Sequence, residues 1–354
     1  PHLAQSSLHR SANTMNVLIC DDSGFARKQL VRALPADWGV TLHQAADGLE
    51  GVEQILMGHG DLIFLDLTMP EMDGYGVLET LKREGVRSKV IVVSGDIQPE
   101  AHERVMALGA LDFIKKPASP DTLLALLKRH GLWQSATQVT AIQHQPVASH
   151  QAAQSSIQFT PELRDVYQEL ANVAMGQGAD LLARLLGAFV LLPIPNVNVL
   201  EVSELHMALS AAAESETLSA VCQGFIGAGI AGEALLLFHD ASFQDLARLM
   251  NHQGELDHGA ELELLMDTAN VLIGAFLRGY ANQLDTPFSQ GHPVVLGQHR
   301  PIQDLIRTNQ SRWRRTLAIE INYRVQGYAV QCDLLLLFTE DSIATMNNKI
   351  MHML

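Results

Sequence analysis

Between Met15 and His130, short apolar runs alternate with amphipathic stretches at regular spacing, and this alternation restricts the fold more than any other feature. Asn16–Cys20, Thr41–Ala45, Leu62–Leu65, Lys89–Val93 and Leu111–Ile114 are rich in β-branched and other apolar residues and read as strands. Helical patterns follow each of them, near Phe25–Leu34, Leu49–Met57, Val77–Leu81, Pro99–Leu108 and Pro120–Arg129. Five strands, each followed by a helix, predict a five-stranded doubly wound parallel sheet. In such sheets the chemistry gathers outside the carboxyl ends of the strands.

Those ends carry a consistent set of side chains. Asp21 and Asp22 follow the first strand, Asp66 the third and Ser94 the fourth, and Lys115-Lys116-Pro117 closes the fifth. Neighbouring strand ends lie ~4.8 Å apart, so these groups can converge on one crevice. Paired carboxylates suit Mg²⁺, which keeps several waters and sits beside phosphate. A lysine and a hydroxyl there can hold phosphoryl oxygens while a phosphoryl group moves onto the Asp66 carboxylate. Singly, each element is an ordinary helix cap or polar surface; in this order, all at strand ends, they form a pattern.

On these residues, 15–130 resembles the response-regulator receiver domain, the CheY-like fold, along its whole length. The resemblance implies that Asp66 is the phosphoacceptor, and that Asp21 and Asp22 bind Mg²⁺ with Asp66 and the Thr68 backbone carbonyl. It implies Ser94 as the switch hydroxyl, Lys116 as the phosphate-binding lysine and Phe113 as the rotating aromatic. Phe113 lacks a phenol hydroxyl, so any switching by it rests on packing alone.

Pro1 to Thr14 precede Met15 and read as an appended or disordered leader (1–14). Residues 131–158 contain no Asp, Glu, Lys or Arg and are rich in Gln, Ser, Ala and His, as in a flexible linker. Net charge is −15, carried unevenly: −5 over residues 15–130 and −11 over 159–354. An acidic second half argues against a nucleic-acid partner, which needs a positive patch. Arg312, Arg314 and Arg315 form its only basic concentration and read as a solvated turn. Cys20, Cys222 and Cys332 are odd in number, lack CxxC spacing and read as buried thiols of a cytoplasmic protein. The fifteen His show no HExxH or comparable ligand pair. No apolar run reaches the length of a membrane span, so no membrane partner is expected.

Residues 159–354 contain an internal repeat, about 160–252 and 258–354. Asn172 recurs as Asn270, Gly176 as Gly274, Pro195 as Pro293, and Leu235-Leu-Leu-Phe238 as Leu335-Leu-Leu-Phe338. Each copy reads as a long helix, a short strand after the Pro, a β-ribbon (near Leu218–Phe238 or Leu317–Phe338) and a closing helix. The duplication predicts an α/β domain with a pseudo-two-fold axis. Its first helix begins with Thr160 as N-cap and Pro161 at the first helical position. Leu163, Val166, Leu170 and Val173 form the apolar stripe, while Asp165, Glu169 and Asn172 share another face. Glu263, Asp267, Asn270 and Gly274 repeat that face. A glycine inside a helix costs about 1 kcal/mol relative to Ala, so a repeated one points to close docking. A carboxylate and an amide on a bare face can pair with a lysine and orient a water.

The spacing Asp165-x₃-Glu169-x₂-Asn172-x₂₂-Pro195 resembles the signature of the CheC/CheX/FliY phosphatase family over roughly 159–354. The resemblance implies that Glu169 engages a receiver lysine and Asn172 positions water to hydrolyse an aspartyl phosphate. Asp165 and Pro195 complete the motif. In the second copy Glu263, Asp267, Asn270 and Pro293 correspond, with Asp267 one methylene shorter than the expected Glu, which implies a weaker site. Together the two resemblances imply a cytoplasmic two-component enzyme, phosphorylated on Asp66 by a histidine kinase and bearing a protein aspartyl-phosphate phosphatase of CheC type. Its substrate would be its own receiver, in cis or across a homodimer, or a separate CheY-like protein, as in chemotaxis. The rival reading is a non-catalytic module that docks on phosphorylated receivers or a flagellar switch.

Overall fold

The computed structural model describes residues 14–133, 159–201, 217–301 and 315–353. The leader up to residue 13, most of the expected linker (134–158), and Arg312 and Arg314 lie outside the described residues.

The N-terminal unit runs β1 (Met15–Cys20), α1 (Gly24–Ala33), β2 (Val40–Ala45), α2 (Gly48–Leu56), β3 (Leu62–Leu65), α3 (Gly74–Glu84), β4 (Lys89–Ser94), α4 (Pro99–Ala107), β5 (Asp112–Lys115) and α5 (Pro120–Arg129). All neighbouring strands pair parallel in the order β2-β1-β3-β4-β5. This is the predicted doubly wound sheet, with a core on each face: Val17, Ile19 and Phe64 point to one side, Leu18, Ile63 and Leu65 to the other. α3 is longer than its apolar window suggested. Asp73 caps it by accepting from Gly76 N, and it ends at Gly85, whose φ of 67° suits a residue without Cβ. At its C-terminal end the extra residues, Lys82, Arg83 and Glu84, are exposed and polar, where hydrophobic periodicity is silent.

The C-terminal unit runs α6 (Pro161–Leu186), β6 (Val190–Leu191), β7 (Asn196–Glu201), β8 (Thr217–Gly227), β9 (Ile230–His239), a 3₁₀ turn (Asp240–Ser242), α7 (Phe243–Leu249), α8 (His258–Gln283), β10 (Ser289–Gln290), β11 (Val294–Pro301), β12 (Arg315–Val325), β13 (Gln331–Phe338) and α9 (Glu340–Met351). The eight strands among its described residues form one sheet with the path β10-β8-β9-β13-β12-β6; β11 joins β8 and β7 joins β12 at the two edges. Arg315 opens β12, so the basic cluster does not end in the expected turn.

The duplication is visible in three dimensions. α6 and α8 have 26 residues each, and the two ribbons meet where β9 pairs antiparallel with β13. In that pairing Leu235 lies opposite Leu335, its own repeat counterpart, so the pseudo-dyad passes between them. Both long helices pack on one face of the sheet around Leu170, Ala174, Leu272, Phe276, Leu236 and Leu336. Cys20 and Cys332 are buried and Cys222 half-buried; none of the three is in a disulfide.

Candidate active site

The strand-end residues of the N-terminal unit converge as their positions predicted. Asp66, 1% exposed, follows β3, and its Oδ1 accepts from Leu67 N at 2.7 Å. Its Oδ2 lies 3.0 Å from Lys116 Nζ, and Asp21 Oδ2 lies 2.7 Å from the same nitrogen. Asp21, Asp22 and Asp66 each bring a carboxylate oxygen within 4.8 Å of the others. Ser94 is fully buried, and its Oγ accepts from Asp96 N at 3.1 Å. Phe113 is half-buried and meets His102 edge-on at 5.6 Å.

What the strand ends could not reveal is that the crevice is closed by the chain's own second half. Glu169 of α6 reaches Lys116 Nζ with both oxygens, Oε1 at 3.2 Å and Oε2 at 3.3 Å. Glu169 and Asn172 are 5% and 6% exposed, so the polar face of α6 is no solvated surface. Asn172 lines a cavity of about 10 Å³ together with Asp22, Thr68, Glu169 and Pro195, a space that suits a single water. The predicted motif residues of the first copy thus meet the predicted receiver residues in one place.

Three contacts hold this closure, and only the first left a trace in the sequence. Gly176 is pressed against Gly95, the residue after Ser94: a Cβ on Gly176 would lie 2.6 Å from Gly95 C. Asp165 Oδ2 accepts from Phe25 N at 2.8 Å, satisfying an orphan amide in the first turn of α1. Phe25 itself is 3% exposed and packs into the core of the C-terminal unit. Gln98 pairs with the Val190 backbone in both directions, Nε2 to O at 2.8 Å and Val190 N to Oε1 at 2.9 Å. The repeated helix glycine was the one available signal, and the Gly after Ser94 is its complement.

Crowding sets the electrostatics. Burial, then the charges of Asp66 and Asp21, push the Asp22 carboxyl up to about 7. Burial also raises Asp66 and Glu169, against the pull of Lys116. Burial alone would lower Lys116, but Asp21, Asp66 and Glu169 hold it well above its ordinary value. Three carboxylates thus share one ammonium, with Asp22 crowded beside them. Such oxygen-rich excess negative charge fits a hard dication, and Asp21, Asp22 and Asp66, with the Thr68 carbonyl, are the residues that would hold Mg²⁺.

The second copy is not brought to any receiver surface. Glu263, Asp267 and Asn270 are exposed on α8, Pro293 is half-buried, and a Cβ on Gly274 would meet nothing within 4 Å.

Residues 17–128 match the response regulator receiver domain. A protein-glutamate methylesterase/protein-glutamine glutaminase of Symbiobacterium thermophilum is 34% identical over 178 residues, 50% of this chain and 44% of that protein. The chain therefore spans less than half the length of that relative. Chemotaxis protein CheY of Treponema pallidum is 37% identical over 103 residues, 28% of this chain and 72% of CheY. Among solved structures, Thermotoga maritima FliY shares 19% identity, covering 55% of this chain and 98% of FliY with a TM-score of 0.41, a likeness too slight to bear on function. Through its receiver, the chain belongs to the response-regulator receiver family. Its receiver domain is followed by an α/β C-terminal region.

Proposed function

We propose that this chain hydrolyses the aspartyl phosphate formed on its own Asp66, with Glu169 and Asn172 as the catalytic pair of a CheC-type phosphatase domain. One observation carries the reading: Glu169 contacts Lys116, and Asn172 lines the water-sized cavity beside Asp22 and Thr68, within a single chain. In the reaction a water oxygen bonds to phosphorus as the bond from phosphorus to the Asp66 oxygen breaks. The products are the Asp66 carboxylate and inorganic phosphate, which retains the proton lost by water. Asn172 cannot act as a base near neutral pH; its amide orients the water by donating and accepting hydrogen bonds. Glu169 holds Lys116, the cation that faces the phosphoryl oxygens. Mg²⁺, when bound by the acidic residues, supplies positive charge against the phosphoryl group. The phosphoryl donor is a histidine kinase, and the compartment is the cytoplasm. Ser94 and Phe113 act as switch residues.

A second reading is favoured by the burial of Asp66 beneath α6: the C-terminal domain caps the receiver without catalysis. The two readings part on Asn172→Ala. Hydrolysis in cis predicts a longer phosphate half-life in this variant, and a wild-type half-life that is unchanged on dilution. Equal half-lives in the wild type and the variant would leave only the cap. The exposed pair Asp267 and Asn270 would serve a separate CheY-like receiver or a second copy of this chain, with the shorter Asp267 making that site the weaker one.

A further inference from the structure

Far from Asp66 in the sequence pattern, the structure gathers a second set of metal-ligating side chains that no spacing motif revealed. His258 and Glu261 occupy the first turn of α8 at i and i+3, so they project from one side of the helix. His299 comes from β11, 38 residues beyond Glu261, and its Nε2 lies 2.9 Å from Glu261 Oε2. The ligand atoms of His258, Glu261 and His299 all lie within 4.8 Å of one another. Donors bound at about 2.0–2.2 Å in a tetrahedral site stand roughly 3.3 Å apart, so small side-chain rotations close this set around one ion.

The support behind His299 is unusual for a surface residue. Its φ is 52°, a left-handed conformation that a non-glycine residue rarely adopts. The irregular register of β11 against β8, with shifts on either side of Gly297, brings it there. Ser219, fully buried, holds both parts of the arrangement: its Oγ accepts from His299 N at 3.3 Å and donates to Asp240 Oδ1 at 2.7 Å. The other Asp240 oxygen, buried and without a well-aligned hydrogen bond, lies 3.0 Å from His299 Nδ1. A carboxylate behind one ring nitrogen, with the opposite nitrogen turned to a ligand cluster, is how metal-binding imidazoles are commonly oriented.

We propose that His258, Glu261 and His299 form a binding site for a borderline-soft dication of the Zn²⁺ type, with Asp240 as the positioning residue for His299. Two imidazoles and one carboxylate give three protein ligands and leave coordination positions open to solvent. The donor set is unlike the all-oxygen site at Asp66 and selects a different ion. An ion triad of Asp240, His299 and Glu261 would account for three of the four side chains, but it gives His258 no part. His258–His299 ring centres 6.2 Å apart mark a second imidazole facing the same point.

The test uses the full chain with Mg²⁺ in excess, so that the acidic site is filled, and titrates Zn²⁺ by calorimetry and Co²⁺ by visible absorption. The expected result is one strong site per chain with the ligand-field bands of low-coordinate Co²⁺. Affinity should fall at least tenfold in His258→Ala, whose exposed residue leaves the fold untouched, and tenfold to a hundredfold in Asp240→Asn. His43→Ala, in the stacked His43–His59 pair of the receiver, serves as the control and should bind as the wild type does. No Co²⁺ bands, or binding that survives both His258→Ala and His299→Ala, would overturn the proposal and leave an ion triad only.

Discussion

Gly176→Ala separates the local effect of a residue from its effect on assembly. Within α6, alanine is the better helix former by about 1 kcal/mol, so the C-terminal unit alone should become more stable. The added Cβ, however, would stand 2.6 Å from Gly95 C and 3.2 Å from Asp96 N. Carbon atoms pack at about 3.5–4.0 Å, so the receiver must move away by roughly 1 Å. Backbone faces backbone there, and no side chain can yield. The same shift lengthens the Glu169–Lys116 contacts, now 3.2–3.3 Å, beyond hydrogen-bonding distance. A displacement of ~1 Å can cost about a hundredfold in a positioned reaction. The repeat supplies a matched control, since a Cβ on Gly274 meets nothing within 4 Å. Phosphorylated on Asp66 with a small-molecule donor and followed by phosphate-affinity gel, Gly176→Ala should approach a hundredfold loss of hydrolysis. Gly274→Ala should match the wild type, and both should melt higher in the C-terminal unit. Wild-type hydrolysis in Gly176→Ala would refute the docked geometry as the catalytic one.

Gln98→Ala removes both bonds to the Val190 backbone, which should weaken docking by about 1–3 kcal/mol, measured as fluorescence transfer between labels on the two domains. Phe25→Ala should also open the interface while sparing the receiver's melting temperature, because Phe25 packs into the C-terminal core. Without Mg²⁺, closure should depend on pH in a defined direction. Burial raises the Glu169 carboxyl in the closed form, so its contribution to closure is full below the ordinary carboxylate range and is lost as pH rises through the raised value. Scattering profiles should therefore broaden at alkaline pH, and an unchanged radius of gyration would count against a shared proton in the site.

Much of the receiver was legible because its chemistry is tied to strand ends. A run such as Leu62–Leu65 marks a buried strand by composition, and the residue after it must emerge at the sheet edge, so Asp66, Ser94 and Lys116 follow from position. The duplicated domain was legible through repetition, down to the ribbons that meet at Leu235 and Leu335. Contacts between the units were not, because they depend on relative placement. Gln98 and Val190 carry no mark of each other in sequence, and Asp165 reads equally as a solvated residue. The His258–Glu261–His299 cluster was hidden for the same reason: only the irregular pairing of β11 with β8 brings His299 to α8.

The closed arrangement places opposite demands on one interface. Asp66 and Lys116 are 1% and 3% exposed and Glu169 of α6 sits against Lys116, so under the proposed function a phosphodonor reaches the carboxylate only when the two units part. Phosphorylation then draws on the open population, and hydrolysis, under the proposed function, on the closed one. Each 1.4 kcal/mol taken from docking raises a minor open population about tenfold, and the apparent phosphorylation rate with it. The same loss cuts hydrolysis only once the closed form ceases to dominate. Weak interface variants should therefore speed loading before they slow erasure, and strong ones should do both. Steady-state phosphorylation responds to docking free energy twice, through two rates with different thresholds. That asymmetry distinguishes a phosphatase held on its own substrate from a passive cap, for which loading and spontaneous loss would rise together as the interface weakens.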